Sequence, residues 1–340
     1  MSKQAAIVVF RLGSLGDTVM ALPLFHRIAQ LHPQSRRVLL TNIPVAANAA
    51  PAAAVLGESG LIHDYIAYPL GLRSPAKLLE LRRGIIELNA STLYYLQECH
   101  SPSRAIRDYL FFRFCGISKV VGAPILSALR RPPTDLPDGE QEAECERLAR
   151  NLATLAPIDL KSAESWDLRL NAAEREIGRA AVAPLGERPI IAINTGGKVA
   201  KNDWGQANWR ALVASLADRF ESFGLLSVGA AQDAERASDI GTLWRGPFVD
   251  LSGKLSPRQS AAALECATLF VGHDSGPIHL ASAVGVSCVG LYGDHNPPRA
   301  WHPYFGEHRI IHDMRGVAHI TVEEVDRAVE AFLGVGRKAS

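Results

Sequence analysis

The densest group of reactive residue types in the chain is Gly272-His-Asp274-Ser275-Gly276-Pro277-Ile-His279, which follows an apolar run and opens a helical pattern. Ser275 or Asp274 can cap that helix, with Pro277 near its first position. Free amides at such a turn, with no bulky side chain at Gly276, suit a diphosphate. Asp274 would repel phosphate, so it is better placed to bond a sugar hydroxyl or to fix the loop. His279 lies one turn into the helix, within reach of a phosphate oxygen, although a helical histidine is more often structural. A metal site built from His273, Asp274 and His279 has no further ligand at a usual spacing, so no metal is expected.

A second segment, Asn194-Thr195-Gly-Gly-Lys198-Val-Ala-Lys201-Asn-Asp-Trp204, also follows an apolar run. A hydroxyl, two glycines and two lysines there suit the developing charge of a phosphate leaving group. The spacing is not that of a P-loop. A third, Arg11-Leu-Gly13-Ser-Leu-Gly16-Asp17, joins a strand signal to a helix. Asp17 there can cap the helix or act as a general base at the edge of a sheet. The G-x-G-x-x-G fingerprint is absent, which argues against a dinucleotide-dependent oxidoreductase. A fourth segment, Gly290 to Asp294 followed by Pro297, Pro298 and Trp301, ends a strand at the same edge.

The elements that must position these segments alternate along the chain. Strand patterns at 6–10, 37–41, 61–68 and 92–97 are interleaved with amphipathic stretches, the first running as one helix from Val19 to Leu31. A breaker region at 130–138 precedes a Glu-rich helix at about 139–156. The rhythm restarts with strands at 189–194, 224–228, 268–272 and 287–292, and helices at 208–220, 256–266, 277–284 and 321–333. Buried strands alternating with helices imply an α/β chain with parallel sheets. A length of 340 residues suits two such domains. We place them at 1–170 and 171–340, both Rossmann-like, with ligands in a central cleft.

Charge divides earlier in the chain than that boundary. Residues 1–133 hold 15 Lys and Arg against 7 Asp and Glu, while the remainder holds 21 against 28. A basic first half suggests an anionic partner. Nucleic acid is not expected, because no groove-reading motif or aromatic-interleaved basic run occurs. Five cysteines without a C-x-x-C pair fit a reducing compartment. With no signal-peptide pattern and no long apolar run, the expected location is the cytoplasm, with at most peripheral contact at the inner face of the cytoplasmic membrane.

Taken together, the segments at 11–23 and 274–283 resemble the ADP-heptose:lipopolysaccharide heptosyltransferases, glycosyltransferase family 9, and the likeness runs from Arg11 to about Pro303. The resemblance implies the GT-B fold and an inverting, metal-independent glycosyl transfer with no cofactor. It implies a donor nucleotide-sugar, ADP-heptose, held mainly by the second domain, and an anionic glycolipid acceptor of the lipopolysaccharide core held mainly by the first. Asp17 becomes the base. Thr195 and either Lys198 or Lys201 face the donor phosphates, and Asp274, Ser275, Gly276 and His279 form the donor loop. Gly16, Arg73, Lys77, Arg104 and Arg107 are the candidate acceptor contacts. Two departures stand: one residue is inserted between the lysine and Trp204, and Ser275 replaces the family's usual threonine. The rival readings are a related transferase with another donor or acceptor and a non-catalytic nucleotide-sugar-binding protein.

Overall fold

The computed structural model describes residues 6–42, 50–69, 74–99, 101–126, 129, 136–137, 140–153 and 157–334. The chain divides into two compact units, Met1–Pro137 with Gln141–Ser165, and Asp138–Glu140 with Trp166–Ser340. Among the described residues, no helix is long and apolar enough to cross a membrane.

The first unit is built on strands β1 (Ile7–Phe10), β2 (Arg37–Thr41), β3 (Asp64–Ala67), β4 (Thr92–Tyr95) and β5 (Lys119–Val121). All are parallel, in the order β3-β2-β1-β4-β5. β1 and β2 are buried on both faces, so their sequences read as continuous apolar runs rather than alternating ones. The chain reverses its direction of winding between β1 and β4. The carboxyl ends of those two strands therefore open a crevice, where the Arg11–Asp17 segment begins.

The expected single helix over Val19 to Leu31 is two, α1 (Leu15–Met20) and α2 (Leu22–Leu31). Pro23 has no amide hydrogen and its ring collides with the preceding turn, so the first helix stops at Ala21 and a second starts. Further helices are α3 (Ala52–Leu56), α4 (Pro75–Glu87), α5 (Pro102–Phe114) and α6 (Glu144–Asn151). The last is the Glu-rich helix, shorter than its sequence pattern. Aromatic packing of Phe10 against Tyr68, Tyr95 and Phe112, each with ring centroids 5.2 Å apart, joins β1 to its neighbours.

The second unit has six parallel strands, β6 (Ile190–Asn194), β7 (Gly224–Ser227), β8 (Phe248–Asp250), β9 (Leu269–His273), β10 (Cys288–Tyr292) and β11 (His308–His312). Their order is β11-β10-β9-β6-β7-β8, so the switch point lies between β6 and β9. Helices α7 (Ala172–Val182), α8 (Gln206–Ala217), α9 (Ala234–Gly241), α10 (Pro257–Leu264), α11 (Gly276–Ala283) and α12 (Val322–Gly334) complete it. Trp204 and Trp209 pack with Ile191, Ile193, Leu269 and Val271 in its core. Each such large side chain removed from water contributes roughly 1.5–3 kcal/mol.

The start of this unit is stapled by Arg258, which is buried on α10. Its guanidinium donates to both Glu174 oxygens, at 2.6 and 2.8 Å, and to the carbonyls of Leu168 and Arg169, each at 2.8 Å. Those bonds to Arg258 hold the Glu174 carboxyl below its usual pKa. Arg258→Met keeps the stem's packing but strands a part-buried carboxylate and two carbonyls. We expect a loss of about 3 kcal/mol, read as a lower urea midpoint for the second unit; an unchanged midpoint would show the staple to be dispensable.

Candidate active site

In the first unit, the segment after β1 is shaped by Gly13 and Asp17. Gly13 has φ of +145°, and a β-carbon there would lie 2.3 Å from the Asp17 side chain, so only glycine admits the turn. Asp17 occupies the third position of α1. Its Oδ2 accepts from the Ser14 amide at 2.8 Å and the Ser14 hydroxyl at 3.3 Å, the capping interaction that its position allowed. Among the described residues its Oδ1 has only a 3.5 Å contact, from Arg11, and the side chain is 30% exposed. One oxygen is thus fixed and the other is open to a ligand. Gly16, beside it in the first turn, is half-buried.

Arg11 holds this segment from beneath. It is buried, and its Nη1 donates to the Leu96 carbonyl at 2.7 Å and to Glu144 Oε1 at 2.6 Å. Its Nη2 reaches the Asp17 carbonyl at 3.2 Å. Glu144, equally buried, also accepts from Arg147 at 2.6 and 2.8 Å. Burial opposes the Glu144 charge, but the Arg11 and Arg147 guanidiniums outweigh it and hold the carboxyl below its usual range. The amides of Leu12 and Gly13 are taken by Gln97 and Asn42, at 2.9 and 2.7 Å. No sequence signal marks Glu144 as the partner of a residue 133 positions away.

Of the candidate acceptor contacts, Arg73 lies outside the described residues. Lys77 and Arg104 sit in the first turns of α4 and α5, which leave the carboxyl ends of β3 and β4, and are exposed. Arg107 is exposed and bonded to Asp108 at 2.6 and 2.9 Å. Among the described residues, no hydrogen bond joins these three to the Asp17 loop.

In the second unit, two loops meet at the β6–β9 switch point. Ser275 donates to Asn194 Oδ1 at 2.8 Å, and Asn202 donates to the Asp274 carbonyl at 2.9 Å. His273, at the end of β9, accepts through Nε2 from the Trp204 amide and from Trp209 Nε1, both at 3.1 Å. Two donors at one nitrogen leave it no proton, so the neutral ring carries its hydrogen on Nδ1. That Nδ1 faces the Gly196 main chain without reaching good hydrogen-bond geometry. Complete burial lowers the His273 pKa to about 4.

Thr195 is buried with its hydroxyl unpartnered, and its carbonyl accepts from Arg236 at 2.8 Å. Arg236 also binds both Asp203 oxygens at 3.0 Å. Gly196 must lack a side chain, because a β-carbon would lie 2.0 Å from Asp233. Lys201 donates to Asp294 at 2.9 Å in an exposed pair, a contact that a stronger anion can displace at little cost. Lys198 is exposed and has no partner among the described residues. Asp274 accepts from Asn296 at 2.7 Å, and burial raises its pKa. Gly276 begins α11, whose first-turn amides are free of intrahelical acceptors.

His279 is placed differently from Lys201. It is buried, neutral, with a pKa lowered to about 4 by burial, so it brings no positive charge to an anion. Asp233, Arg236 and Asn296 escaped the sequence reading, and Asp203 stood in the quoted segment without a role. Arg236 and Asp233 belong to a stretch with only two buried positions on its helix, Ala237 and Ile240, too weak an apolar period to detect. Among the described residues, no group of three or more His, Cys, Asp or Glu is placed to hold a metal ion.

The two parallel α/β sheets, each with loops gathered at a switch point, define a chain of the GT-B class. A family model described as glycosyltransferase family 9 (heptosyltransferase) matches residues 138–327. That is more than half of the chain, and the chain belongs to this family. Lipopolysaccharide heptosyltransferase 3 of Escherichia coli is 28% identical over 164 residues, 44% of this chain and 46% of that protein. The match thus spans about half the length of that curated relative. A glycosyl transferase family 9 structure from Veillonella parvula superposes with a TM-score of 0.73 at 19% identity, over 98% of this chain and 99% of that one. The E. coli heptosyltransferase WaaC with ADP gives 0.68 at 17%, over 96% and 99%. These two likenesses concern the fold.

The buried histidines set a pH dependence. His273 and His279 have folded pKa values of about 4, against an ordinary value of 6.5. Below 6.5 the unfolded chain takes up protons that the folded one refuses. Stability is therefore complete above that pH and is lost as the pH falls toward 4. The slope is at most about 1.4 kcal/mol per pH unit for each histidine. Urea unfolding at pH 7.5 and pH 5 should show this loss, and His279→Leu should reduce the difference. The carboxylates of Glu144 and Glu174, shifted down, add their own loss only below their ordinary 4.5.

Proposed function

We propose that this protein transfers heptose from ADP-heptose to an anionic glycolipid of the lipopolysaccharide core, with inversion at the anomeric carbon. The observation that carries the donor half is the meeting of two loops at the β6–β9 switch point. A buried hydroxyl without a partner, two exposed lysines and the free amides of α11 come from those loops. They are the donors a departing diphosphate requires. Family membership supports heptose as the sugar: the curated relative is named a lipopolysaccharide heptosyltransferase, and the WaaC structure was obtained with ADP.

In this reading, Asp17 Oδ1 takes the proton of the acceptor hydroxyl while Oδ2 stays on Ser14, so the base keeps one orientation. The freed oxygen attacks the anomeric carbon and the bond to the diphosphate breaks. Lys201, released from Asp294, meets the new charge on the diphosphate; Lys198 is the alternative. Thr195 donates its hydroxyl to a phosphate oxygen. Asp274, its charge disfavoured by burial, bonds a sugar hydroxyl, and Ser275 and Gly276 shape the turn. His279 forms part of the floor beneath that turn. No step calls for a metal or a cofactor. The cytoplasm, with contact at the inner face of the cytoplasmic membrane, is the protein's proposed place.

The test is product formation from ADP-heptose and a Kdo-terminated lipid A, followed by mass spectrometry. Asp17→Asn can still accept from Ser14, so the fold and ADP affinity should be kept while turnover falls by about 10²-fold or more. Near-normal turnover would remove Asp17 from the role of base. Preference for UDP or GDP over ADP in titration would overturn the donor.

A further inference from the structure

Helices α4 and α5 leave an apolar surface uncovered. Leu79 and Ile86 on α4, and Ile106, Leu110 and Phe114 on α5, are each between 43% and 61% exposed. The three on α5 are spaced by four residues, which places them along one outward stripe, and the two on α4 are separated by two turns of one face. Arg82 joins the stripes: its guanidinium lies 4.3 Å from the centre of the Phe114 ring and its Nε donates to the Phe114 carbonyl at 3.1 Å. The surface is therefore one patch spread over two neighbouring helices. Single exposed hydrophobic residues are ordinary, but five on adjoining faces are not.

The charge around the patch is basic. Arg82, Arg83, Arg107 and Arg113 border the two apolar faces, while the two helices carry Lys77 and Arg104 on other faces and hold three acidic residues in all. One of those three, Asp108, is buried and bonded to Tyr95 and Arg107. On the helical wheel of α5, Arg113 and Arg107 flank the apolar stripe on either side. Glu80 and Glu87 lie on the flank of α4 away from Arg82. Apolar side chains bordered by long basic ones form the arrangement that lies flat in a lipid interface, the apolar groups entering the acyl boundary and the cations meeting phosphates.

We propose that the α4–α5 face is the surface by which this protein docks on an anionic phospholipid bilayer. A second copy of the chain is a poorer occupant, because a two-fold contact would set this basic patch against itself. The first turns of both helices lie at the sheet edge from which the Asp17 segment also leaves, so a docked first unit presents that edge close to the lipid. The inference rests on the glycolipid-acceptor reading only for its purpose. Its geometry stands without it. Of the candidate acceptor contacts, Arg107 borders this face and then meets headgroup phosphates rather than the reacting hydroxyl, while Lys77 and Arg104 lie on other faces of their helices.

The test uses co-sedimentation of the full chain with phosphatidylcholine vesicles, with and without phosphatidylglycerol. Wild type should bind the anionic vesicles, bind the neutral ones weakly, and lose affinity as salt rises. The double variant Ile106→Glu, Leu110→Glu changes two exposed positions outside the candidate site, and should lower anionic-vesicle binding at least about tenfold. Its circular dichroism and ADP titration should match wild type. Absence of wild-type binding, or equal binding by the variant, overturns the proposal. So does a wild-type dimer that the variant dissolves, which would assign the face to a second copy. The vesicles hold no acceptor, so failure here leaves the transferase reading untouched. Failure of transfer with vesicle binding intact removes that reading and leaves the docking surface.

Discussion

The candidate donor site depends on one buried acceptor, His273 Nε2, held between the Trp204 amide and the Trp209 indole. This nitrogen ties the loop after β6 to the end of β9, across the line where the sheet reverses its winding. The interaction requires an unprotonated nitrogen, and complete burial ensures one by lowering the ring's pKa to about 4. Without it, two buried N–H groups would lose their acceptor, at a cost of about 1–3 kcal/mol each. The bonds from Ser275 to Asn194 and from Asn202 to Asp274 follow the same crossing and fix its two rims. Thr195 is left with a hydroxyl that nothing among the described residues satisfies.

The first unit solves a related problem with charge in place of a neutral ring. Arg11 is buried and paired with Glu144, and through its other nitrogen it supports the turn that carries Asp17. A buried ion pair of this kind adds little stability over an apolar replacement, yet breaking one half of it is costly. Its value here is positional. Gly13 lets the chain turn tightly enough for one carboxylate oxygen to cap its own helix while the other stays open. Both units thus present their candidate groups from loops at strand ends, on scaffolds that leave those loops few alternatives.

Much of this could be read from the residues. The continuous apolar strands, the glycine-rich segments after them and the two-part organisation follow from local pattern, since strands buried on both faces need no tertiary information to be recognised. The loops around Asp17, Thr195 and Asp274 stood out because glycine, hydroxyl and charge coincide there. Other parts were hidden for physical reasons. β8 has three half-buried residues, and β11, His-Arg-Ile-Ile-His, carries polar groups on an edge strand. Pro23 split a helix that its apolar period ran straight through. Glu144 and Arg236 act across 133 and 41 residues, distances over which sequence pattern carries no signal. His279 belonged to the densest motif, yet its helix turns it into the core, where it is neutral and buried.

In the proposed reading a nucleoside diphosphate seats on the loops at the β6–β9 switch point. Hydrogen exchange followed by mass spectrometry, with and without saturating ADP, tests it directly. Protection is expected in peptides covering 194–203 and 273–279, the segments that supply Thr195, both lysines and the α11 amides. Peptides of the first unit should change less. If ADP binds and leaves those two segments unprotected, the diphosphate lies elsewhere and the account of the donor site is wrong.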